Sequence, residues 1–255
     1  MTLPSQQPSH DVRAPSPSCP YPEATRRPWP MLLAILPLIL LDVFGLITRG
    51  SGDVPSNRAY EQLHAFMGFL DIPPVFMVFA GGAIIIIVLF TWHLFKNQPW
   101  SVKPNVLVGI PLEGALWAIP LLLIAPLFTV SVLAAAPTAS GLESLPMMDR
   151  VLVSISAGLY EELLFRMVGI ALLHALFVDL CRMRNLDGTL LAILGSAIAF
   201  AWYHDPSLDA PAAAFFYLLA GLELGILFVV RGFAIAVWTH VLYNTVIFTT
   251  MSSGT

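Results

Sequence analysis

Charge is what this chain has least of. Only 11% of its 255 residues are Asp, Glu, Lys or Arg, less than half of the roughly 25% usual in soluble domains. That scarcity excludes an ordinary soluble enzyme, and 12 Lys and Arg spread along the sequence leave no basic patch for nucleic acid. Two cysteines, Cys19 and Cys181, are too few and too far apart for a disulfide framework or a zinc–thiolate site. The chain also lacks a Gly-rich phosphate loop, a His-Glu-x-x-His helix and a Gly-x-Ser-x-Gly elbow, which removes the commonest nucleotide, zincin and serine-hydrolase signatures.

Apolar residues are present in excess, at 57%, with a mean hydropathy of +0.80. The expectation is an all-α, polytopic membrane bundle of about seven spans. These run over 31–47, 72–95, 106–133, 150–178, 190–204, 210–230 and 233–250, each long enough or nearly so to cross an apolar layer of about 30 Å. The third contains Pro111, Pro120 and Pro126, which predicts a kinked or split segment. Residues 1–30, rich in Pro, Ser and Gln, read as a flexible polar tail. Residues 31–144 then form N-terminal helices and loops, 145–250 the later spans, and 251–255 a short C-terminal tail. With the N-terminus in the cytoplasm, the inner segments hold Arg13, Arg26, Arg27, Lys96, Lys103, Arg182, Arg184 and Arg231, and the outer ones hold Arg49, Arg58 and Arg150. The excess on one side favours that orientation.

A charge in the bilayer costs at least about 2.5–3.5 kcal/mol on insertion scales, so ionisable residues inside spans are candidates for function. The densest group is Tyr160-Glu161-Glu162-Leu163-Leu164-Phe165-Arg166. Glu162 and Arg166, four apart, stack on one helical face as an ion pair, while Glu161 points about 100° away and does not share that stacking. Glu161 is therefore the better placed carboxylate for a general base. The fifth span ends in Phe200-Ala201-Trp202-Tyr203-His204, and the seventh contains His240-Val241-Leu242-Tyr243-Asn244, again with polar groups four apart. A carboxylate, two imidazoles and an amide on three helices supply a base, a partner for water and donors for an oxyanion. Purely structural roles stay open for each: pairing with Arg166, an interfacial aromatic belt, interhelical hydrogen bonds. Asp42, His93, Glu113, His174 and Glu223 lack a polar companion at i+4 and read as structural.

These residues resemble the CPBP family of intramembrane proteases (CAAX-processing and bacteriocin-processing, also called Abi), which includes the Rce1-type prenyl-protein endopeptidases. Its motifs are Glu-Glu-x-x-x-Arg, Phe-x-x-x-His and His-x-x-x-Asn, found here in order as Glu161 to Arg166, Phe200 to His204 and His240 to Asn244. The resemblance covers roughly residues 145–250 and departs at Met167, where members often carry glycine. It implies that Glu161 with His204 activates a water, that His240 with Asn244 stabilises the oxyanion, that Glu162 and Arg166 hold their helix, and that Phe200 shapes the pocket. It also implies an endopeptidase acting on a membrane-associated peptide or protein, lipidated or not, in the inner membrane of a prokaryote, with the bilayer and no nucleic acid as partners. The expectation is catalysis without a cofactor, since neither histidine shows a carboxylate behind it; the alternative, zinc held by Glu161, His204 and His240, stays open. A proton-coupled transporter and a non-catalytic membrane scaffold or immunity protein are the rival readings.

Overall fold

The computed structural model describes residues 19–49, 58–71, 73–128, 145–204 and 210–250. Their regular structure is helical. In chain order the helices are α1 (Tyr21–Ala24), α2 (Pro28–Arg49), α3 (Arg58–Phe69), α4 (Pro74–Lys96), α5 (Pro104–Ile124), α6 (Met147–Glu162), α7 (Ala171–His174), α8 (Asn185–His204), α9 (Pro211–Arg231) and α10 (Phe233–Thr250). Seven segments are long and apolar enough to cross a membrane: Pro28–Thr48, Phe79–Lys96, Pro104–Leu127, Met147–Leu180, Asn185–His204, Pro211–Arg231 and Phe233–Thr250. The protein is a multi-pass, all-helical membrane bundle. Large apolar side chains such as Ile87, Phe95, Leu116 and Leu123 point outward, as expected where the surroundings are lipid and not water.

Three expectations change. The third span is not split at Pro111 or Pro120, through which α5 is continuous, while Pro126 falls in the 3-10 turn Ala125–Leu127 that follows it. The twelve-residue α3, which hydropathy passes over because its mix of Glu, Gln and aromatic residues averages out, lies between the first two spans. Part of the expected tail is folded. Residues 19–30 include α1 and the start of α2, Thr25 and Ala24 are buried, and Tyr21 and Trp29 pack on the main core; residues 1–18 lie outside the described residues.

A polar clamp fastens that N-terminal turn. Arg231 closes bidentately on Glu113, Nε to Oε1 at 2.6 Å and Nη2 to Oε2 at 2.8 Å, the fork geometry that suits guanidinium to carboxylate. The Tyr21 hydroxyl also bonds to Glu113, and burial first, then that bond, push its pKa up to about 12, with Arg231 opposing. The next residue, Gly232, takes φ +102°, a conformation that side chains with a Cβ disfavour. It turns the chain from α9 straight into α10.

Of three apolar clusters among the described residues, two flank the site, the third being a small one around Ile170, Ala192 and Ile193. The larger of the two draws on α2, α4, α5, α6 and α10; the smaller joins the end of α5 to Phe165, α8 and α9. The helix begun by α6 continues through a π-helical stretch, Leu163–Ile170, then α7 and a second π-helical stretch, Ala175–Leu180. Wide π turns are rare and collect at functional sites. Here one backbone acceptor of the first stretch, the Phe165 carbonyl, takes a hydrogen bond from the buried Ser196 hydroxyl of α8 at 2.8 Å.

Candidate active site

The site lies where the two cores meet, near the end of the bundle at which α8 finishes. Glu161 and Glu162 form the last turn of α6, immediately before the π-helical stretch; His204 ends α8; His240 and Asn244 are one turn apart on α10. Glu161, Glu162, Arg166, Phe200, His240 and Asn244 are buried, and His204 is the most accessible of the set with 18% of its side chain exposed.

Glu161 is the hub. Its Oε2 lies 3.6 Å from His204 Nε2 and 3.7 Å from His240 Nε2, both longer than a direct hydrogen bond of about 2.7–3.2 Å. The other nitrogen of each ring is spoken for. His204 Nδ1 is 2.9 Å from the Phe200 carbonyl one turn back, and since a carbonyl only accepts, Nδ1 carries the hydrogen and Nε2 presents its lone pair when the ring is neutral. His240 Nδ1 is 2.8 Å from Glu162 Oε1, which likewise orients that ring with Nε2 toward Glu161.

Glu162 thus has two tasks. Its Oε2 stands 3.2 Å from Arg166 Nε, with both side chains fully buried, as the i, i+4 spacing predicted. Its bond to His240, however, spans 78 residues and leaves no local spacing signal. Arg166 Nη2 also lies 3.5 Å from the Gly221 carbonyl, and the Phe200 ring lies 4.5 Å from the guanidinium carbon. Phe200 is therefore a partition. One face meets Arg166, its edge contacts are with Phe165 at 5.2 Å, and it lies 4.5 Å from His204 and 6.0 Å from His240. A buried charge survives in such a place only when partnered, and two carboxylates, one guanidinium and one imidazolium would sum to zero.

Asp42 and Gly81 come from the first two spans, outside the three motifs, yet bear on this helix. Asp42 Oδ2 accepts a 3.0 Å hydrogen bond from the Tyr160 hydroxyl, 118 residues away, and the Tyr160 ring packs so tightly on Gly81 that any Cβ there would overlap it. Tyr160 immediately precedes Glu161, so this contact fixes the rotation of α6 where it presents the carboxylates. Glu113 belongs to the clamp already described, His93 packs between Trp29 and Trp100, and His174 Nε2 pairs with Asn185 Oδ1 at 2.9 Å. None of the three joins the cluster.

The donor set of Glu161, His204 and His240 has the composition of a catalytic zinc site. As placed, no group of three or more His, Cys, Asp or Glu side chains among the described residues is arranged to hold a metal ion. One sequence argument against zinc nevertheless falls away, because Glu162 is a carboxylate directly behind His240.

Carboxylates and imidazoles clustered inside a polytopic bundle are the groups that amide hydrolysis within a membrane would need. Residues 143–246 match the family model described as "Rce1-like: Type II CAAX prenyl endopeptidase Rce1-like". The chain thus contains a region matching the Rce1-like CAAX protease (CPBP) family model, and that match together with the glutamate–histidine cluster, which is consistent with a catalytic dyad, supports an intramembrane protease. No curated protein and no solved structure matches the chain.

Proposed function

We propose that the protein hydrolyses a peptide bond of a membrane-associated, CAAX-type protein or peptide, with Glu161 and His204 activating water and His240 and Asn244 holding the oxyanion. The observation that carries this reading is the convergence of two imidazole Nε2 atoms on one oxygen of Glu161. A water seated beside the Glu161–His204 pair, about 2.8 Å from each, donates one hydrogen to the carboxylate and the other to His204 Nε2. Its oxygen attacks the scissile carbonyl carbon as its proton passes to Glu161. The carbonyl oxygen becomes an oxyanion, for which the Asn244 amide and His240 Nε2–H are the donors. With Nδ1–H committed to Glu162, that role requires His240 as the imidazolium, whose charge the two flanking carboxylates balance. Collapse breaks the C–N bond, and Glu161 returns the proton to the leaving amine, so one water is consumed and an acid and an amine are released.

The charge distribution along the sequence supports a cytoplasmic N-terminus, and the family resemblance supports the inner membrane of a prokaryote as the setting. The test is cleavage of tagged membrane peptides, prenylated and not, by the detergent-solubilised chain beside Glu161→Ala, His204→Ala and His240→Ala, with bound zinc measured in each sample. Cleavage by the wild type and by none of the variants, without stoichiometric zinc, is the expected result. Stoichiometric zinc lost in the variants would replace the water–glutamate mechanism with a metal one. Variants that cleave as well as the wild type would remove the proposed roles altogether.

A further inference from the structure

Beside the three motifs, the hairpin of α8 and α9 places one more side chain against the reacting groups. The two helices approach closely: a Cβ on Gly221 would stand 2.9 Å from Ala197 Cα, and one on Gly225 would stand 3.0 Å from Ile193 Cγ2. The pairings step one turn forward along α9 as they step one turn back along α8, an antiparallel register set by small residues. Carried one turn the other way from Gly221, that register delivers Tyr217 to the last turn of α8. There the Tyr217 ring stacks on the His204 imidazole, with centroids 4.1 Å apart and planes 20° from parallel. Its other aromatic neighbours, Phe216 at 5.7 Å and 67° and Phe200 at 6.4 Å and 72°, meet it edge-on. Tyr217 is 8% exposed.

A bond from Nδ1 to the Phe200 carbonyl fixes one atom of the imidazole, and the ring can still tilt about it. Stacking on a flat, buried face removes that tilt. The two constraints together hold Nε2 toward Glu161 Oε2. The face of an aromatic ring is also its negative side, so the partial positive charge drawn onto His204 by the hydrogen bond it accepts from the water lies over an attractive surface.

We propose that Tyr217 is a positioning residue for His204, its ring face holding the imidazole in the plane that serves the water-activating pair. The proposal rests on the reading of Glu161 and His204 given above. It assigns the role to the aromatic face and not to the hydroxyl, so Tyr217→Phe and Tyr217→Leu must behave differently.

The experiment compares the full-length wild type, Tyr217→Phe, Tyr217→Leu and Tyr217→Met in detergent, by kcat and KM on a tagged prenylated peptide. In parallel, carbethoxylation of individual histidines by diethyl pyrocarbonate is followed by mass spectrometry. Tyr217→Leu is expected to lower kcat by roughly 10–100-fold, the scale of a misplaced catalytic group, with KM unchanged and His204 labelled faster while His93 and His174 keep their wild-type rates. Tyr217→Phe is expected to restore both kcat and the His204 labelling rate. Wild-type kcat in the leucine variant, or equal loss in the phenylalanine variant, would overturn the proposal. Faster labelling at all three histidines reports loss of the fold, and Tyr217→Met is then judged by the same criteria. If the wild type cleaves no peptide, the protease reading fails, while the His204 labelling rates still decide whether Tyr217 holds the ring: equal rates in wild type and Tyr217→Leu refute it.

Discussion

Breaking the Glu162–Arg166 pair from one side should cost far more than removing it whole. Both side chains are fully buried, with Nε and Oε2 3.2 Å apart. Without Glu162, the guanidinium keeps a 3.5 Å contact to the Gly221 carbonyl and the face of Phe200. A cation over a desolvated ring gains about 2 kcal/mol, well short of the several kcal/mol per ion that desolvation costs. Arg166→Met and Glu162→Gln should therefore each destabilise by about 3–5 kcal/mol, a factor of roughly 10²–10⁴ in the unfolding equilibrium. The double variant leaves no buried charge of this pair and an amide still able to accept from His240 Nδ1, so it should recover most of the loss. Reversible unfolding in mixed dodecyl maltoside and SDS micelles measures all four proteins. Single variants within about 1 kcal/mol of the wild type, the range of an exposed pair, would refute the reasoning. So would a double variant that loses the sum of the two.

Further outcomes follow from other contacts. Asp42→Ala leaves the buried Tyr160 hydroxyl without its 3.0 Å acceptor and should cost about 1–3 kcal/mol in the same unfolding assay, together with a fall in kcat, because α6 loses its rotational stop. Gly81→Ala forces the Tyr160 ring aside; the unfolding midpoint should drop, and pairing it with Tyr160→Leu should restore part of the drop. Gly221→Ala pushes α9 off the Ala197 backbone and should slow cleavage even when the protein remains folded in size-exclusion chromatography. Tyr21 has a folded pKa of about 12 against an ordinary 10.0, so between those values the native state keeps a proton that the unfolded chain loses. Its contribution is whole below pH 10 and vanishes as pH rises through 12. Stability measured across that window should decline more steeply in the wild type than in Tyr21→Phe.

The sequence made the spans and the motif residues visible because both are local signals. Apolar runs report spans directly, and an i, i+4 spacing reports the Glu162–Arg166 pair from the helical period alone. The hydrogen bonds of Glu162 to His240 and of Asp42 to Tyr160 cross 78 and 118 residues, so no spacing rule reaches them. Asp42 and Glu113 looked solitary for the same reason: Tyr160 and Arg231, which meet them, sit on other helices, and beside Glu113 only the Trp117 indole lies at i+4. The N-terminal turn was hidden by composition, since prolines and serines mark a tail on average while Tyr21, Thr25 and Trp29 dock individually. Tyr217 sits in an apolar run that reads as helix surface, and its place against His204 depends on the closeness that Gly221 allows.

His240 and Asn244 stand on α10, synthesised after all the other described helices, and the groups they meet lie on α6 and α8. During biosynthesis the earlier helices can enter the bilayer with Glu162 already neutralised by its neighbour Arg166, an attachment made within a single turn. On the proposed mechanism the oxyanion donors arrive last, so a nascent chain halted before α10 would hold the water-activating pair with nothing to receive the charge it creates.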